Sequence, residues 1–253
     1  MNDQASELRQ LVRESLQKQE SHALDQARVV LVAGGRSGAG STSVALNLAA
    51  MLAQLEYKTL LVDADQAGFD AALAERIGVS LLDVEREDEE PPVEAAAAVR
   101  VASQGMEYVV IDAGKVADRS LWQMADLVLV VTTSELPVVM ESYSLLKQMI
   151  TGGILRPIHI LVNMADEVTA ADVFARLDRA GREFLGFRPS KAGHLSVSGE
   201  LLAAKKTLEP IVSGNPQSVI GRQFKELTLW AIDQMLERSK QLSRPRSPEK
   251  SAA

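Results

Sequence analysis

The sequence predicts an α/β fold, a doubly wound and mostly parallel sheet flanked by helices, and three observations carry that prediction. Val29 to Thr42, VVLVAGGRSGAGST, runs from β-branched residues into a glycine-rich turn that opens a helix. Four further runs, TLLVDA (59–64), YVVID (108–112), LVLVV (127–131) and IHILV (158–162), are apolar at nearly every position, as strands covered on both faces are. Between them lie segments long enough for helical crossovers, which join parallel strands in the right-handed sense.

Composition sets the outer limits. With 253 residues, 46% hydrophobic and 24% charged, the chain has room for one full core, and one domain with tails is expected. The divisions are an amino-terminal helix and connector over 1–27, the main domain over 28–240, and a disordered tail over 241–253, whose SRPRSPEKSAA stretch is rich in proline and charge. A net charge of −7 makes nucleic acid a poor partner. The absence of cysteine removes thiol nucleophiles and sulfur-ligated metals, and His22, His159 and His194 are too scattered to suggest a site. Magnesium is the one metal worth considering. No apolar run approaches a membrane span or a signal sequence, so a cytoplasmic protein is expected.

Taken in order, Met1 to Glu20 reads as a helix. Asp3 can cap it, and Leu8, Leu11, Val12 and Leu16 form a narrow apolar stripe. Such a stripe serves a partner, packs on its own domain or lies loosely in solvent, and periodicity leaves these open. Val29 to Ala33 is the first strand, and Ser41 to Glu56 is an amphipathic helix with Val44, Leu48, Met51, Leu52 and Leu55 inward.

The turn between them is built for an anion. Gly35, Gly38 and Gly40, with Arg36, Ser37 and Ala39 between, let backbone N–H groups converge, and the helix adds the positive end of its dipole. Gly35 to Thr42 fits the phosphate-loop pattern G-x-x-x-x-G-K-[ST] with one mismatch, Ser41 in place of lysine. That lysine reaches the β- and γ-phosphates, so ATP hydrolysis is expected to be weak or absent, while the cradle and a magnesium-ligating hydroxyl at Thr42 remain.

Asp63 and Asp65 fall at the carboxyl end of the second strand, where ligands of open parallel sheets bind. One can hold magnesium through water and the other, vestigially catalytic, can orient an attacking water; a solvated strand exit is the plainer alternative. YVVID ends in Asp112, as does the strand carrying a magnesium-associated aspartate in phosphate-loop proteins. Lys115, just beyond, is a candidate substitute for the missing charge.

Glu85 to Pro92, EREDEEPP, reads as an exposed loop between two short helical pieces. Helices are expected over 136–150, 170–184 and 217–238. The last carries Phe224, Leu227, Trp230, Ala231, Met235 and Leu236 on one side, and its mixed-sign polar face favours core packing over a peripheral membrane contact.

Together the glycine-rich loop with Arg36 five positions before the usual lysine, VDAD after the second strand and VVID before a turn resemble the MinD/ParA family of deviant phosphate-loop ATPases. Within it they are most similar to the FlhG group, regulators of flagellar number and placement. DQASELR (3–9), VVTTSELPVVMESYSLLK (130–147), ILVNMAD (160–166) and FLGF (184–187) carry that likeness.

The resemblance implies an ATP and Mg2+ site. Arg36 stands where a signature lysine reaches across a nucleotide-sandwiched homodimer, Ser43 meets the α-phosphate, and Asn163 reads adenine beside Met164, where the family has arginine. Thr42, Asp63 and Asp112 surround the metal, and Asp65 orients water. It also implies a partner, an FlhF-type GTPase of the signal-recognition-particle kind, bound through Asp3, Gln4, Leu8 and Arg9, with Gln4 helping to arrange GTP hydrolysis; flagellar switch or C-ring proteins are further partners. IDAGK is shorter than the family's turn, and the segment from Asp70 to Tyr108 is shorter than in the FlhG group, so a strand there is expected to be missing. The expected function is a flagellar regulator that is a pseudo-ATPase or weak ATPase. Alternatives are an active ATP-dependent dimerisation switch at the inner membrane face, or an adaptor in polysaccharide or septum-placement systems.

Overall fold

The computed structural model describes residues 27–84, 93–115, 118–154, 156–201 and 208–242. The elements follow in the order β1 (Arg28–Gly34), α1 (Ser41–Gln54), β2 (Thr59–Asp63), α2 (Ala71–Ile77), β3 (Ser80–Asp83), α3 (Val93–Ala102), β4 (Tyr108–Gly114) and α4 (Arg119–Met124). They continue through β5 (Leu127–Thr132), α5 (Leu136–Thr151), β6 (Ile158–Val162), α6 (Glu167–Ala180), β7 (Ser190–His194), α7 (Ile211–Gly214) and α8 (Val219–Leu242). All seven strands are parallel, in the order β3-β2-β4-β1-β5-β6-β7.

Strand alternation divides the core into two layers. Val30 and Val32 face one layer with Val44, Leu48 and Leu52 of α1 and Phe224 and Leu227 of α8. Val29, Leu31 and Ala33 face the other, with Trp122 of α4, Leu146 and Met149 of α5, and Val173 and Leu177 of α6. A sheet coated on both faces requires strands apolar at every position, which is why the central runs are so legible. Phe224, Leu227, Ala231 and Met235 are all buried, so α8 spends its apolar side on the core. His159 on β6 meets the Trp230 ring edge-on at 5.0 Å. Burial lowers its pKa to about 4, so it is a neutral core residue.

Several elements differ from expectation. The segment from Asp70 to Tyr108, in which a strand was expected to be missing, holds β3 paired to β2, with short helices on either side of the run 85–92 as expected. Its SLLD is short and half-exposed at the sheet edge, which leaves no apolar run to read. β7 is also an edge strand, SKAGH, with no fully buried position. α6 starts at Glu167, where Asp166 caps Thr169 N at 2.7 Å. Where one helix was expected to reach 184, it gives way at Gly181 to a π-helical turn ending at Leu185. α8 starts two residues later than expected and runs to Leu242. The helix expected over 1–20, the acidic run 85–92 and the tail from 243 lie outside the described residues. Among the described residues no helix is long and apolar enough to cross a membrane.

The topology fixes where a ligand can sit. From β1 the chain crosses through α1 on one face toward β2, and from β5 it crosses through α5 on the other face toward β6. The adjacent carboxyl ends of β1 and β5 therefore flank a crevice, the switch point of a doubly wound sheet.

Candidate phosphate-binding site

The turn from Gly35 to Gly40 fills that crevice. Its one internal backbone bond runs from Ala39 N to Arg36 O at 3.2 Å, and Val44 N to Gly40 O at 3.0 Å starts the helix. Gly40, the N-cap of α1, sits at φ 93° and offers no side-chain cap, and the first helical turn holds no acid. The leading N–H groups of α1 have no intrahelical acceptor, so the positive end of a 14-residue helix opens into the crevice.

Two glycines are required by close approach. A Cβ on Gly35 would overlap the backbone of Glu141 and Ser142 in α5. A Cβ on Gly40 would overlap Nδ2 of Asn163. The Asn163 amide, 1% exposed, donates from Nδ2 to Ala39 O at 2.9 Å and accepts at Oδ1 from Met164 N at 2.9 Å. The residue that the resemblance assigns to adenine thus braces the loop from the end of β6, with one Nδ2 hydrogen left over.

The two loop positions expected to carry or replace charge behave differently from a phosphate-loop lysine. Ser41 is 7% exposed, and its Oγ lies 3.1 Å from the point where a Cβ on Gly34 would stand, so it folds back on the strand end. Arg36 donates from Nη1 to Glu141 Oε1 of α5 at 2.8 Å. Glu141 could not be found from sequence, since it lies 105 positions away in an ordinary helix surface. Ser37, Gly38 and Ser43 lie within the loop and first helical turn, beside Thr42.

The acids separate by role. Asp63, expected to hold magnesium through water, accepts from Ala67 N at 2.9 Å, Gly68 N at 3.0 Å and Phe69 N at 3.3 Å. It ties the turn after β2. Asp65 packs its carboxylate against Gly114, where a Cβ would overlap it. Asp112 is fully buried; Oδ1 accepts from Gly114 N at 3.3 Å, and Oδ2 has no hydrogen-bond partner. Burial raises its pKa to about 7, the Thr42 hydroxyl beside it acts in the opposite direction, and Asp65 and Asp63 raise it further.

That arrangement fits a divalent cation coordinated with a phosphate. Thr42 and the orphaned Asp112 Oδ2 are both hard oxygen donors, as magnesium prefers, and magnesium takes few protein ligands when phosphate and water complete the shell. Among the described residues no cluster of three acidic or histidine side chains is arranged to hold a metal. Beyond Asn163, Leu195 N bonds Val162 O and Ala165 N bonds Leu195 O, both at 3.0 Å. This brings a cavity of about 350 Å³, lined by Ser196, Ser198, Glu200, Ser218 and their neighbours, alongside the same sheet end.

Known proteins share this architecture. MinD of Aquifex aeolicus superposes with a TM-score of 0.62 at 16% identity over 82% of this chain and 97% of that one, and a MinC:MinD complex of the same organism gives 0.59 at 15% identity over 82% and 96%. MinD of Pyrococcus horikoshii, complexed with Mg-ADP, gives 0.62 at 15% identity over 84% and 98%. In sequence, a septum site-determining MinD protein of Guillardia theta is 51% identical over 39 residues, a stretch spanning 15% of this chain and 14% of that relative. The family model described as the CobQ/CobB/MinD/ParA nucleotide binding domain matches residues 30–245, and this chain belongs to that family.

Proposed function

We propose that this protein binds an adenine nucleotide with Mg2+ in the crevice above β1 and hydrolyses it slowly or not at all. The observation that carries the reading is the uncapped N-terminus of α1 facing the buried, unpartnered Asp112 Oδ2 across Thr42. An anion needs the first and a cation the second, and a magnesium-bound phosphate satisfies both. Ser41 supplies no charge to a leaving or transferring phosphate, so the protein acts by holding nucleotide rather than by turning it over. Titration with a fluorescent ATP analogue in Mg2+ tests this. Weak saturable binding is expected, with Ser41→Lys tighter by about tenfold to a hundredfold, the range of one charged hydrogen bond. No binding by either form at millimolar nucleotide would overturn the reading.

The biological role we propose is that of an FlhG-like flagellar regulator. DQASELR at 3–9 supports it by likeness, with Gln4 positioning water in the active site of an FlhF-type GTPase and Asp3, Leu8 and Arg9 anchoring the segment. Adding the full chain to the cognate GTPase is expected to accelerate GTP hydrolysis, and Gln4→Ala to abolish the effect. An equal rate with the alanine variant would refute it. A nucleotide-dependent homodimer is a second reading, favoured by Leu136 and Met140, 62% and 63% exposed one turn apart on α5 beside the loop. Light scattering during the ATP titration tests it: a mass that doubles on saturation supports the dimer, and a mass that stays monomeric excludes it.

A further inference from the structure

The crevice has an electrostatic imbalance. Asp65 and Asp63 stand close enough to the buried Asp112 to raise its pKa, yet the loop offers no free cation: Ser41 is neutral and turned back, and Arg36 is paired with Glu141. A triphosphate adds several negative charges to this side, and in a partly desolvated crevice their repulsion is poorly screened. The backbone cradle and one magnesium ion leave charge uncompensated.

β4 supplies a candidate. It runs two residues past Asp112, and the register shift between Val32 and Ala33 sets Gly114, not Ala113, opposite Ala33. Lys115 therefore leaves the sheet level with Gly34, where β1 turns into the loop, one strand spacing of about 4.8 Å away. Gly114 at φ 46°, with Asp65 packed on it, sets the direction of that exit. Lys115 is exposed and makes no ion pair among the described residues. Its four-carbon stem, on the order of 6 Å long, spans the distance from β4 to the loop.

We propose that Lys115 supplies the phosphate-binding cation of this site, meeting the terminal phosphates of the bound nucleotide from the end of β4 instead of from the loop. The proposal rests on the nucleotide reading above. In this arrangement the charge stands on the neighbouring strand, level with the start of the loop, instead of in the loop itself.

The test compares Mg-ATP and AMP binding to the native protein, Lys115→Ala, Lys115→Arg, Ser41→Lys and the Ser41→Lys/Lys115→Ala double variant, with thermal unfolding of each. Expected are a loss of tenfold or more in ATP affinity for Lys115→Ala, near-native ATP affinity for Lys115→Arg, unchanged AMP affinity, and an unchanged melting temperature, since Lys115 is a surface residue. The double variant should regain ATP affinity, because charge returns at the loop position. Native-like ATP binding by Lys115→Ala overturns the proposal and leaves the nucleotide reading intact. So does ATP binding by Ser41→Lys where the native chain binds none. Absence of binding in every form overturns both.

Discussion

Replacing Asp112 by asparagine is expected to make the nucleotide-free protein more stable at pH 8 while removing its response to magnesium. The buried carboxyl titrates near 7 in the fold and near its ordinary 3.8 when unfolded. Between those values the folded state binds more protons, so stability falls as pH rises through the window, and the full cost is present above pH 7. A shift of this size corresponds to about 4 kcal/mol. Asparagine carries no charge to bury and offers an N–H that Thr42 can accept. Urea unfolding should therefore place Asp112→Asn above the native protein by about 4 kcal/mol at pH 8 and by less than half as much at pH 5. With Mg-ATP present the order should narrow or reverse, because only the native protein gains from binding. A variant less stable than native at pH 8 would mean that Asp112 is structural, with Oδ2 satisfied by something other than a cation.

Gly35→Ala is expected to lower stability by about 2–3 kcal/mol and to eliminate nucleotide binding. The added methyl falls on the Glu141–Ser142 backbone, which no rotamer change can move, so either α5 or the whole turn must shift. Gly35 is not at positive φ, so the cost is one of contact rather than backbone strain. Gly199→Ala, with nothing within 4 Å, is the control and should change stability by at most about 0.5 kcal/mol. Equal denaturation midpoints for the two variants would show that α5 yields freely, and the loop would then not be held in shape by its neighbour.

Both predictions concern contacts that the sequence conceals to different degrees. The phosphate-loop spacing, the acid closing YVVID and the loss of lysine at Ser41 are readable because they are local: a glycine-rich turn, a strand and a helix dipole act within a few residues of one another. Even so, the sequence shows only part of what Asp63 does. Next to Asp65 it reads as a ligand, and its oxygens also accept from the backbone of Ala67, Gly68 and Phe69, an arrangement that depends on how the turn closes. Asn163 shows the reverse, since the family resemblance assigns it to adenine and only packing reveals that it supports Gly40. The edge strands β3 and β7 escaped because a strand with one covered flank and half-exposed faces needs no apolar run.

The sequence by itself determined the layered α/β architecture, the central strands, the principal helices and the position of the loop. Burial on both faces of a sheet imposes short continuous apolar runs bounded by turn residues, and tight turns impose glycine. Only the tertiary structure decided which charges are available. Pairing Arg36 with Glu141, burying Asp112 without a partner and setting Lys115 level with Gly34 all depend on strand order and register, and electrostatic energies depend on separation in space and on solvent exclusion, which adjacency along the chain does not encode.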